Sequence, residues 1–220
     1  MNQIDSIRRK VRRIATASFR NAARLHDDAV LLYNEDRIPS SLHTSILSIE
    51  EIGKYFMYED VLWHNRIEEH WPLQDIQEFL RGTYSHIAKQ GWFARQAASP
   101  FITNSLLRLL REERLEQVKQ KATYVGLPRK GRNVNFNGRL STPFRTSKKR
   151  TEGLITIVND FIVELAVGIR KGAMSLDIPE IDDWLAQDAT EAHFVNLWPR
   201  MQRSTQKTIT NLHKNEDIER

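Results

Sequence analysis

Apolar side chains recur three and four positions apart along most of the chain, the period of a helix with one buried face. The clearest case is residues 42–58, LHTSILSIEEIGKYFMY, where Leu42, Ile46, Ile49, Gly53 and Phe56 share one face and Glu50, Glu51 and Lys54 lie on its neighbour. A glycine inside a helix costs roughly 1 kcal/mol relative to alanine. Gly53 therefore predicts a point where another helix crosses closely. Glu50 and Lys54 stand at i, i+4 in the order that favours an ion pair.

The same reading predicts a first helix over 5–34, with Ile7, Val11, Ile14, Ser18, Ala22, Leu25, Ala29 and Leu32 facing inward. The Arg37-Ile38-Pro39 break ends it, and the central helix then runs towards His64. Pro72 opens a third helix over 72–98, in which Ile76, Leu80, Ile87 and Phe93 form a broken inner stripe and His86, Lys89 and Gln90 share another face. A fourth, over 103–122, carries Leu106, Leu107, Leu109, Leu110, Leu115 and Val118. A fifth, over 152–174, carries Leu154, Ile157, Val158, Phe161, Leu165 and Ile169. Residues 181–213, aromatic at Trp184, Phe194 and Trp198, predict two more. Glycine and proline are few and clustered, unlike the regular punctuation of β-hairpins. The fold class is all-α: an antiparallel helical bundle over 1–174, with a C-terminal helical extension over 175–220 docking on the bundle or on a second subunit.

Charge is uneven. Residues 129–150, RKGRNVNFNGRLSTPFRTSKKR, hold Arg129, Lys130, Arg132, Arg139, Arg145, Lys148, Lys149 and Arg150 and no acid. The chain's formal net charge is +5, so everything outside this segment is net negative. A basic, glycine- and asparagine-bearing loop with Phe136 and Phe144 interleaved suits RNA, whose phosphates meet the cations and whose bases stack on the rings. The alternative is a solvated surface loop. There is no cysteine, hence no disulfide or thiolate chemistry. With no apolar run of membrane length and no signal-like N-terminus, a cytoplasmic location and no membrane partner are expected. Asp60, His64 and Glu68, at i, i+4, i+8, offer too few ligands from one helix to make a metal site, and no metal or cofactor is expected.

The stretch NAARLHDDAVLLYNEDRIPSSLHTSILSIEEIGKYF, residues 21–56, resembles the start of the AbiV abortive-infection family, with its Asn-Ala helix and its helix ending in Glu-Glu-x-Gly-Lys. SHIAKQ, residues 85–90, is similar to that family's next, histidine-bearing helix, and KQKATYVGL, residues 119–127, to its lysine-then-Tyr-Val segment. The resemblance implies the wider HEPN superfamily, whose helical bundles usually dimerise and include metal-independent ribonucleases of toxin and antiphage systems built on an Arg-x4-6-His motif.

That motif occurs three times, as Arg20–His26, Arg37–His43 and Arg81–His86. With this many arginines and histidines about two occurrences are expected by chance. Position selects among them. Only Arg81–His86 lies where the family's histidine helix belongs, although Gly82 departs from the polar residue that often follows the arginine. The resemblance thus implies His86 as general acid or base and Arg81 as the stabiliser of phosphorane charge, with Lys89 holding phosphate and Glu50 or Glu51 orienting the cations. Lys54, Arg129, Lys130, Arg132, Lys148 and Lys149 complete the expected RNA-binding and supporting set. The reading is an antiphage endoribonuclease toxin that arrests translation or growth, a homodimer with RNA as substrate and an antitoxin or phage protein as possible partner. The competing reading is a non-catalytic module that binds RNA or protein and acts by sequestration.

Overall fold

The computed structural model describes residues 3–67, 72–96, 108, 114–127, 129–130, 133–170 and 190–199. Its frame is an antiparallel hairpin of two long helices, α1 (Gln3–Asn34) and α2 (Ile38–Ile67). The corner between them is a Schellman turn. Arg37 N–H donates to the Leu32 carbonyl at 2.8 Å and Asp36 N–H to that of Tyr33 at 3.0 Å, with Asp36 left-handed at φ 56°. The register along the hairpin is pinned by two α2 serines seven residues apart. Ser41 Oγ donates to the Ala29 carbonyl and Ser48 Oγ to the Ala22 carbonyl, each at 2.7 Å. These hydroxyls sit in contact with the opposite backbone, which only small side chains allow. The buried stripe of α1 runs through Val11, Ala15, Phe19, Ala22, Ala29 and Tyr33. Ile14, expected inside, is exposed instead, because Ala15 and Phe19 face α2.

Three further helices pack on α2. After Pro72 comes α3 (Leu73–Arg81), then a 3-10 turn (Gly82–Tyr84), then α4 (His86–Gln96). The single helix expected over 72–98 is therefore broken at its centre. Ser85 is extended, at φ −91° and ψ 120°, and its Oγ accepts Ala88 N–H at 3.3 Å, so it N-caps α4 and makes His86 the first helical residue. α4 crosses α2 at Gly53, where any β-carbon would collide with the Lys89 carbonyl oxygen. The close crossing expected from Gly53 is present. Next comes α5 (Arg114–Thr123), which buries Leu115, Val118 and Ala122. Of the rest of the fourth helix expected over 103–122, Leu106, Leu107, Leu109 and Leu110 lie outside the described residues.

The basic segment carries more structure than a bare loop. It forms a two-residue hairpin, β1 (Arg129–Lys130) with β2 (Asn133–Val134), closed behind by the antiparallel bridge Gly126–Ser141 and followed by a 3-10 turn at Pro143–Arg145. These short pairings aside, the described elements are helical. α6 (Lys148–Arg170) starts four residues before the predicted fifth helix, because Ser147 Oγ accepts Arg150 N–H and caps it. Lys148, Lys149 and Arg150 are thus the first turn of a core helix. Lys148 Nζ meets Asp36 at 2.7 Å and lies over the Tyr33 ring, tying α6 to the α1–α2 corner.

α7 (Thr190–Leu197) docks within the chain. Phe194 and Trp198 are buried, the Trp198 indole N–H donates to Thr156 Oγ1 at 2.9 Å, and its ring stands edge-on to Tyr33. Trp198, on the extension expected to dock on the bundle or on a second subunit, closes the protomer's own core; Trp184 lies outside the described residues. Through the middle runs a relay of rings, Phe19, Tyr55, Phe56, Phe161 and Phe93, with centroids 5.0–5.6 Å apart. No helix among the described residues is long and apolar enough to cross a membrane.

Candidate functional site

One turn of α2 before Gly53 sits Glu50, whose side chain is 2 % exposed. Its burial follows from the crossing, since α4 reaches the α2 backbone at Gly53 and brings the first turns of α4 over Glu50. Four groups converge on the carboxylate. His86 Nδ1 donates to Oε2 at 2.7 Å, Gln90 Nε2 to Oε1 at 2.8 Å and Lys119 Nζ to Oε1 at 2.8 Å, while Lys89 Nζ stands 3.8 Å from Oε2. A buried carboxylate needs this many donors, because desolvation of an unpaired charge costs several kcal/mol. Lys119 also pairs with Glu116, one turn back on α5, at 2.6 Å.

The charges of this cluster sustain one another. Burial alone would lower the Lys119 ammonium, but its bonds to Glu116 and Glu50 more than offset that and hold its pKa above the ordinary value. Burial would raise the Glu116 carboxyl; bonds from Gln120 and Lys119 outweigh it and hold it below. Ligand atoms of Glu50, His86 and Glu116 lie within 4.8 Å of one another, a spacing that suits a metal ion. The Lys119 ammonium already bridges the two carboxylates, however, and supplies the positive charge a metal would bring.

His86 carries the cluster to the surface. A carboxylate can only accept, so Nδ1 carries a proton whether the ring is neutral or charged, and Nε2 is the nitrogen that gains or loses the second proton. The side chain is 51 % exposed, so the ring spans from the buried acid to solvent. Lys89, expected as a phosphate ligand, is buried and directed at Glu50.

The remaining expected residues lie elsewhere. Arg81 is exposed on the last turn of α3, separated from His86 by the 3-10 turn, and contributes no bond to the Glu50 cluster among the described residues. Glu51 and Lys54 pair with each other at 3.5 Å, replacing the expected Glu50–Lys54 pair because Glu50 turns inward. They line a groove of about 580 Å³ against α1, with Lys10, Arg13 and Asn21. In the basic segment Arg129 and Lys130 form β1, Arg132 lies outside the described residues, Lys148 is committed to Asp36, and Lys149 is exposed. Phe136 and Phe144 are 83 % and 93 % exposed. Arg139, Arg145 and Arg150 border a second, larger groove, about 1370 Å³, whose other wall is α5 from Glu116 to Ala122.

Sequence reasoning missed the role of Lys119. Its signal was a lysine placed among Leu115, Val118 and Ala122 on the apolar face of α5, where a cation needs a buried acid. The fold is a helical bundle, and the family model that matches the chain makes it a HEPN-type one of the abortive-infection class. Within it, the chain belongs to the AbiV family, whose model matches residues 10–160. That range holds Glu50, His86, Glu116 and Lys119. No curated protein and no solved structure matches the chain.

Proposed function

We propose that this AbiV-family protein is a metal-independent endoribonuclease toxin, acting on RNA in the cytoplasm to arrest translation or growth during phage infection. The observation that carries the reading is His86: its Nδ1 is fixed on buried Glu50 and its ring stands half in solvent. An imidazole held in one tautomer by a buried carboxylate is a proton-transfer group ready for use. The reaction is attack of a ribose 2′-oxygen on the adjacent phosphorus with departure of the 5′-oxygen, leaving a 2′,3′-cyclic phosphate. It needs neither a water nucleophile nor a cofactor. Lys119 supplies fixed positive charge behind the imidazole, and Arg81 contacts phosphate from the outer edge. The exposed basic segment, with Phe136 and Phe144, draws in and stacks the strand.

Two copies pair across the corner between α3 and α4 in this reading, where Tyr84 and Ile87 are exposed on either side of Ser85 and His86. An antitoxin or a phage protein would act by covering the same corner. The separation of Arg81 from the cluster favours the second reading, a non-catalytic module that sequesters RNA or protein through the basic segment. Incubating the purified protein with total RNA in EDTA distinguishes the two. The ribonuclease reading expects cyclic-phosphate ends that are lost in His86→Ala, and intact RNA with the wild-type protein would leave sequestration.

A further inference from the structure

His43 lies seven residues before Glu50 on α2, which returns it to within about 20° of the same face at about 10 Å of axial rise. On α5, Glu116, Lys119 and Thr123 follow one another at i, i+3, i+7. The two helices therefore face each other as an antiparallel ladder. Glu50 meets Lys119 at one rung, and His43 Nδ1 meets Thr123 Oγ1 at 2.7 Å at the next. Thr123 spends its only proton on the Lys119 carbonyl, at 2.9 Å. Its oxygen must then accept from His43, so the His43 proton sits on Nδ1 and Nε2 keeps its lone pair. Two imidazoles thus flank Lys119, each with Nδ1 anchored on the helix framework and Nε2 without a partner among the described residues.

We propose that His43 is a second catalytic residue of this site, the general base that takes the 2′-hydroxyl proton on Nε2, while His86, entering as the imidazolium with Nδ1–H held by Glu50, gives its Nε2 proton to the departing 5′-oxygen. This rests on the ribonuclease reading. The balance closes, because the 2′-oxygen–phosphorus bond forms as the phosphorus–5′-oxygen bond breaks, one proton is taken and one returned. Lys119 lies between the two imidazoles to oppose the charge that builds on phosphorus.

The groups around His43 suit it to accept. Burial, then the Lys119 charge, lower its pKa below the ordinary value, and Glu50 and Glu116 offset this only in part, which favours the neutral, proton-accepting ring. His86 and Lys89, on α4, reach the same carboxylate.

The experiment compares an RNA oligonucleotide with the same strand carrying sulfur at the scissile 5′-bridging position, a leaving group that needs no proton. On ordinary RNA, His43→Ala and His86→Ala should each lower kcat/KM by about 10²–10⁴-fold. On the sulfur-bridged strand His86→Ala should recover to near the wild-type rate, and His43→Ala should stay slow. His43→Asn keeps a donor towards Thr123 but has no Nε2. It should be as slow as His43→Ala and lose the acidic limb of the pH profile. Wild-type rates in His43→Asn, or recovery of His43→Ala on the sulfur-bridged strand, would overturn the assignment while His86→Ala remains inactive on ordinary RNA. A wild-type protein that cleaves neither strand would overturn the ribonuclease reading itself, and this assignment with it.

Discussion

The carbonyl oxygen of Lys89 occupies the space that a β-carbon at Gly53 would need. The obstacle is backbone rather than the tip of a flexible side chain, so α4 would have to move away from α2 to admit even a methyl group. Gly53→Ala ordinarily gains about 1 kcal/mol in a helix. Here it should destabilise by about 2 kcal/mol or more, because rigid overpacking outweighs propensity. It should also weaken the His86–Glu50 bond that the crossing creates. Urea denaturation at neutral pH checks the sign.

Lys119→Met should cost about 3–5 kcal/mol, since it leaves Glu50 and Glu116 without their shared cation. Glu50→Gln combined with Lys119→Met should recover much of that loss, the signature of coupled rather than independent sites. Arg81→Ala, exposed and apart from the cluster, should leave the melting temperature unchanged and lower kcat/KM less than His86→Ala does. Thermal denaturation of the four variants, with kinetics for the last two, decides between a cluster organised by Glu50 and one organised by Arg81.

His26 is fully buried on α1 and donates Nε2–H to Asn159 Oδ1 at 2.9 Å; burial lowers its pKa from 6.5 to about 4. Its folded pKa is depressed, so the unfolded chain takes the proton first as the pH falls. This group therefore removes stability between pH 6.5 and about 4, with a ceiling of about 3 kcal/mol. Glu59 and Glu164 work oppositely. Burial, with Asp60 and Asp160 respectively, raises each to about 7, so they remove stability as the pH rises from 4.5 to 7. The wild-type profile should be shallow through partial cancellation. His26→Gln should convert it to one that falls steadily with rising pH, measurable as urea midpoints at pH 4.5, 5.5 and 6.5.

In the basic segment, Phe136→Ala and Phe144→Ala should each weaken single-stranded RNA binding by about 1–3 kcal/mol if a base stacks there. Neutralising Arg139, Arg145 and Lys149 should flatten the salt dependence by about 0.7 in the logarithmic slope per lost phosphate contact. Lys148→Ala should affect folding instead, by less than about 1 kcal/mol, because its ammonium is engaged with Asp36 at the surface. Fluorescence anisotropy over a salt series measures the first two effects.

Trp198→Ala should cost about 3–5 kcal/mol through the cavity it leaves beside Tyr33 and Thr156. The dissociation constant of the proposed homodimer should not change, whereas Tyr84→Ala or Ile87→Ala should raise it. Sedimentation equilibrium separates the two effects.

Helix identity, the α1–α2 hairpin and the Gly53 crossing were legible in the chain because each is a local consequence of period or of a missing side chain. The break at Gly82–Ser85 was not, since Ile76, Leu80 and Ile87 keep an apolar spacing across it; the capping serine before His86 was the clue. Glu50 and Glu51 look equivalent in sequence, and only the crossing at Gly53 sends one inward and the other to the α1 groove. Lys119 and His43 were hidden for another reason. Their partners lie 69 and 80 positions away, and no periodicity reports a bond between distant residues.

The sequence separation of Glu50, His86 and Lys119 also sets the order in which the site can come into being during synthesis. The chain must extend through α5 before the carboxylate on α2 has its cation. Until Lys119 has emerged and docked, Glu50 has no reason to be buried, and His86 has no fixed acceptor to choose its tautomer. If the protein is the ribonuclease proposed above, a ribosome making it would carry a chain unable to attack RNA, including the ribosome's own, until more than half of it had been translated.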